Sequence, residues 1–109
     1  MPKKARFSVA AAQAAPIPAG RRSALLFEHG SMSLRYYAPR GTDPQTPHDQ
    51  DEVYVVVSGS GRYSIDGESV SFEAGDTLFA PAGADHRFEA FTEDFATWVI
   101  FYGPIGGEH

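Results

Sequence analysis

From Ser23 to Gly103 the chain alternates short apolar runs with turn-forming residues. SALLFEH and SMSLRYYA flank Gly30, GRYSI and ESVSF flank Asp66-Gly67, and DTLFAP, HRFEAF and FATWVIFY follow. Runs of this length, punctuated by Gly, Pro and Asp, predict about eight strands and an all-β barrel or sandwich. Asp66-Gly67 suits the positive φ angles of a two-residue hairpin turn, and Gly59-Ser60-Gly61 reads as hairpin chemistry too. Before Ser23 the pattern differs. Ser8, then VAAAQAA, then Pro16 predicts one short N-terminal helix with Ser8 as its N-cap and Pro16 and Pro18 as its stop. Residues 1–22 therefore read as a basic tail, helix and linker, and residues 23–103 as the β-barrel of a single domain spanning 1–109.

Two of the runs lack a polar face. In EVYVVV, Val53, Val55 and Val57 oppose Glu52, Tyr54 and Val56; in FATWVIFY, Phe95, Val99 and Phe101 alternate with Trp98, Ile100 and Tyr102. A sheet with one wet side would show polar residues on one of these faces, so both are expected to be covered. A chain this small can hardly do that alone, which predicts a homodimer. The face of Met32, Leu34 and Tyr36 is expected to line the barrel, leaving Arg35 and Tyr37 for solvent or a partner. Phe79, Phe88 and Trp98 read as core.

Composition narrows the function classes. At 109 residues with 42% hydrophobic and 21% charged residues, the chain suits one hydrophobic core. A net charge of −5 argues against nucleic acid, whose binding needs Lys and Arg to neutralise phosphates. With no cysteine there is no disulfide, thiolate zinc site or Cys nucleophile, so any metal must be held by His, carboxylate or amide oxygen. No apolar run approaches the roughly 20 residues of a membrane helix, so no membrane partner is expected. Lys3, Lys4 and Arg6 precede a small-residue run that superficially resembles a secretory leader. That run is short, mostly alanine and interrupted by Gln13, so the expected location is the cytoplasm. Phosphate-binding glycine loops and a nucleophile elbow are absent from the sequence, which leaves a small molecule as the expected partner.

The chemistry concentrates in two stretches. In GTDPQTPHDQDEVYVVVSG, His48 and Glu52 are four apart; extended backbone would point both to one face, followed by Tyr54 and Val56. In GDTLFAPAGADHRFEA, Pro81 and Gly83 form a rigid turn and His86 opens the next run, on one face with Phe88 and Ala90. An imidazole held by such a turn can meet His48 and Glu52 across the mouth of a barrel. His29, beside a turn glycine, and His109, the last residue, read as solvated.

Together the two stretches resemble the paired motifs of the small cupins. Gly41, His48, Glu52 and Gly59 match the first motif, and Gly75, Pro81, Gly83 and His86 match the second. The resemblance implies a cupin-type antiparallel β-barrel, the double-stranded β-helix or jelly roll. It also implies a divalent transition metal (Fe, Mn, Zn or Ni) held by His48, Glu52 and His86. Two departures bear on function. Thr46 stands where the family has the first His of its His-x-His pair, and Ala90 stands where the second motif ends in Asn. Gln45, next to Thr46, can offer an amide oxygen, although strict alternation would aim Thr46 inward and Gln45 away. Met32, Tyr54 and Phe88 are the expected pocket walls.

Two His and one carboxylate with open positions are the pattern of non-haem iron oxygenases, and imidazole equally suits nickel and zinc. The resemblance implies a small polar substrate and dioxygenase, isomerase or lyase chemistry, with the catalytic residues unassigned. A non-catalytic sensor or carrier, or a barrel whose metal site has decayed at Thr46, are the alternatives the sequence leaves open. Without metal, Glu52 beside two histidines would form an acid–base pocket.

Overall fold

The computed structural model describes residues 5–19 and 21–108; the tail positions 1–4, linker residue Gly20 and His109 lie outside them. Helix α1 (Val9–Ala14) begins where Ser8 Oγ accepts the Ala11 N–H at 3.1 Å, supplying a partner for one otherwise unpaired first-turn donor. Eight strands follow: β1 (Ala24–His29), β2 (Met32–Tyr37), β3 (Asp51–Ser58), β4 (Ser60–Ile65), β5 (Glu68–Glu73), β6 (Thr77–Ala80), β7 (His86–Glu89) and β8 (Ala96–Tyr102). They form two antiparallel sheets, ordered β1-β2-β8-β3-β6 and β5-β4-β7, as in a jelly roll. No helix among the described residues is long and apolar enough to cross a membrane.

The Asp66-Gly67 turn joins β4 to β5 as expected, with φ of 47° and 86° at its two central residues. Gly59 is different. It is not a hairpin glycine: β3 pairs with β8 and β6 in one sheet, whereas β4 pairs with β5 and β7 in the other. Gly59 therefore turns the chain from one sheet into the next at φ 83°, just after a register break between Val56 and Ser58. A Cβ there would lie 2.6 Å from Phe95 Cα, so only glycine satisfies both the backbone angle and the close approach.

Between the sheets lies an aromatic core. Tyr54, Tyr63, Phe72, Phe88 and Phe95 are all buried, with Phe88 4.8 Å from Tyr54 and 4.7 Å from Phe95 between ring centroids. Edge-on and tilted contacts of this kind add to the burial of large rings, and truncating one typically costs about 3–5 kcal/mol. A second cluster sits on the outer face of the larger sheet, where Ala12 of α1 packs with Tyr36, Ala96 and Trp98.

That helix reverses one expectation. Tyr36 faces α1 and Tyr37 faces the core, so alternation puts Met32 and Leu34 on the outer face and Ser33 and Arg35 on the inner one. Met32 is thus not a pocket wall, and Arg35 and Tyr37 are turned toward the interior cavity rather than solvent. The sequence could not settle this, because β2 carries a tyrosine on each face. Trp98 likewise belongs to the outer cluster, and Phe79 is 48% exposed rather than core.

Candidate metal centre

Glu52 is placed by β3, on the inward face it shares with Tyr54 and Val56. Its side chain is almost fully buried, flanked across the ladder by Phe101 of β8 and Ala80 of β6. His86 opens β7, buried like Phe88 two residues on; Ala90 lies beyond the strand and is exposed. His48 comes from the loop before β3 rather than from the strand, and its ring sits edge-on to Phe101 at 5.0 Å. The Gly83 N–H donates to the His48 carbonyl at 2.8 Å, which ties the two motif stretches together through their backbones.

The three side chains converge: one donor atom from each of His48, Glu52 and His86 lies within 4.8 Å of the others. His86 Nε2 is 2.7 Å from Glu52 Oε1, and His48 Nε2 is 3.8 Å from Glu52 Oε2. His86 Nδ1 lies 2.9 Å from the Ala84 carbonyl, which can only accept, so Nδ1 carries a proton and the neutral ring presents a lone pair at Nε2. Glu52 Oε2 is buried without a hydrogen-bond partner, and the buried His86 Nε2 meets the other oxygen of the same carboxylate. Two electron-pair donors held this close repel unless a proton or a cation lies between them. Ligands of one ion with bonds of roughly 2.0–2.2 Å sit roughly 3–4.4 Å apart, which the 3.8 Å separation meets. The donor set can therefore hold a divalent transition metal.

The electrostatics describe the metal-free site. Burial works against a charged His86. The hydrogen-bonding contact to Glu52, the Ala84 carbonyl and the Glu52 charge outweigh it and raise the imidazole above its ordinary range. His48 moves the other way, lowered by burial and by the nearby His86, against the attraction of Glu52. The first proton of the metal-free site thus belongs to His86. Tyr54 is held well above its ordinary value by burial and by the Glu52 charge, so its phenol remains a donor. It donates to Glu52 Oε1 and has Gln45 Oε1 within reach at 3.1 Å.

Gln45 and Thr46 exchange their expected roles. Residues 42–48 are not a strand, so alternation does not govern them; Thr46 is exposed at the cavity rim and Gln45 turns inward. Its amide nitrogen donates to Asp43 Oδ2 at 2.8 Å, leaving the oxygen 3.3 Å from His48 Nε2. Asp43 went unnoticed in the sequence. It is buried and also accepts from the Tyr37 hydroxyl and from the Phe88 N–H at 2.8 Å. Nothing in a loop of mixed polar residues marks an aspartate as buried, although it follows Gly41 closely and precedes Pro44. Asp51 is also structural: its oxygens accept the N–H groups of Ala82 and Glu108. Tyr54 and Phe88 lie beneath the site as packing, not as walls of the open cavity, whose floor includes His48, Gln45 and Phe101.

The chain resembles known proteins in the same terms. The cupin domain family model matches residues 33–102. An uncharacterized protein of Streptomyces coelicolor is 40% identical over 76 residues, covering 68% of this chain and 72% of its own. A gentisate 1,2-dioxygenase of a Streptomyces species is 31% identical over 68 residues, 62% of this chain but only 19% of the enzyme. Among solved structures, a protein of unknown function from Rhizobium leguminosarum superposes with a TM-score of 0.75 at 25% identity, covering 94% of this chain and 99% of its own. With the paired motifs, the two-sheet topology and this match across most of the strands, the chain belongs to the cupin domain family.

Proposed function

We propose that the protein is a metal-dependent cupin that acts on a small polar molecule, with His48, Glu52 and His86 holding a divalent transition metal. The observation that carries this is the convergence of His48, Glu52 and His86, one donor atom of each within 4.8 Å of the others, with Glu52 Oε2 buried and unpartnered. The Gln45 oxygen is the fourth donor in this reading, taking the place of the imidazole that Thr46 lacks. Such an ion supplies Lewis-acid and oxygen-activating chemistry. The protein's own groups do the rest. The Ala84 carbonyl fixes the His86 tautomer, Tyr54 anchors Glu52, and the aromatic packing beneath keeps water out of the buried side. The local likeness to a gentisate 1,2-dioxygenase favours oxygen-dependent chemistry over isomerisation or elimination.

Elemental analysis of untagged protein tests the metal, with His86→Ala as control. About one equivalent in the native chain and less than about a tenth in the variant is the expected result. Equal, near-zero content in both would sink the reading. Oxygen uptake by iron-loaded protein with small polar substrates tests the reaction type.

A second copy of this chain is the proposed partner. Phe79 stands 48% exposed on edge strand β6 beside Val53, on the outer face that α1 does not reach. Covering that patch favours a dimer.

A further inference from the structure

A cavity of about 390 Å³ opens over His48, toward the lower end of the usual range for ligand sites and sufficient for one ring or a short chain. Its rim holds Arg21, Arg22 and Arg35. These are three of the nine basic residues in a chain whose net charge is −5. Among the described residues none of the three guanidiniums has a carboxylate within ion-pair distance. Asp49 is the one acidic side chain lining the cavity. Burial and the charge of Arg21 push the Arg35 guanidinium below its ordinary range, with Glu28 pulling the other way, so the like charges are felt. Beside them the lining is apolar: Val99 is the cross-strand neighbour of Arg35, Phe101 follows on the same strand, and Ile105 joins them.

Three cations against one acid at a small cavity favour a bound anion, and a guanidinium fork matches a carboxylate bidentately. Apolar side chains next to them ask for a hydrocarbon body on the same molecule. We propose that this cavity binds a small organic carboxylate, its charged group on Arg21, Arg22 and Arg35 and its apolar part against Phe101 and Val99. Only the placing of its far end near the reacting centre rests on the metal reading above.

Titration of metal-free, full-length protein at low ionic strength with benzoate, benzamide and inorganic phosphate tests it. Benzoate is expected to bind at least about tenfold more tightly than benzamide, and more weakly as salt is raised. Arg21→Gln/Arg22→Gln, at two exposed positions, and separately Arg35→Gln, are each expected to lose about tenfold in benzoate affinity. Benzamide binding as well as benzoate, or benzoate binding unchanged in both variants, overturns the proposal. Phosphate matching benzoate overturns the apolar half of it. His86→Ala keeps the two readings apart: it should retain benzoate binding whether or not the native chain carries metal, and loss of benzoate binding in that folded variant would count against the arginines as the anchor.

Discussion

The Gln45 amide nitrogen donates to Asp43 Oδ2, and this one bond decides which end of the amide faces His48. A carboxylate accepts and cannot donate, so the nitrogen is held away and the oxygen is offered to the site. Asp43→Asn removes that constraint. We expect metal affinity to fall about tenfold, as for other groups that orient a ligand, and stability to fall by about 1–3 kcal/mol. Gln45→Ala should weaken metal binding to a similar extent with little loss of stability. Calorimetric metal titration beside denaturant unfolding reads both. Unchanged metal affinity in both variants would reduce Asp43 to a structural residue.

Protons and metal should compete at His86. Its imidazole is raised in the folded, metal-free chain, so the contact with Glu52 contributes stability fully present below the unfolded value of about 6.5 and lost as pH rises through the folded value. The lowered His48 acts in the opposite sense, losing stability as pH falls through its unfolded value. Metal needs both rings neutral. The rise in Tm on adding metal should therefore grow between about pH 6 and about pH 8. A constant rise across that interval would mean that no imidazole proton is displaced.

Gly59 should be intolerant of any side chain. Gly59→Ala meets both a positive φ and a Cβ contact of 2.6 Å with the Phe95 backbone, and Phe95 is fully buried. A loss of about 2–4 kcal/mol is expected in urea unfolding. Gly67→Ala, with a similar φ but open space around it, should cost about 1 kcal/mol. Equal costs would show that backbone strain alone matters at the corner between the sheets.

Much of the fold was legible in the residues, for a physical reason. Ser8, Asp66-Gly67 and the apolar runs act locally, and local rules decide caps, turns and strands. The cluster of His48, Glu52 and His86 was legible through the resemblance of its two stretches to the cupin motifs, and the fold brings the three together. What stayed hidden depended on long-range packing. Tyr36 and Tyr37 are equivalent in sequence until α1 covers one of them. Gln45 and Thr46 cannot be told apart by alternation because their segment is not a strand. Gly59 looks like a hairpin glycine until its two flanking strands are found in different sheets.

The outer face near β6 carries the prediction on assembly. Light scattering at micromolar concentration should give a mass about twice 11.8 kDa, and Phe79→Glu should return it to the single-chain value. A native chain that scatters as a single copy would leave Phe79 as an exposed ring with no partner.

Of the three donors at the centre, only the His48 side chain, at 36% exposure, meets the cavity; those of Glu52 and His86 stand at 1%. Everything that reaches the centre must then arrive from the His48 side. A molecule held in the cavity can therefore touch the centre only where His48 is laid open, and which of its faces it turns there is left to its contacts with the cavity lining.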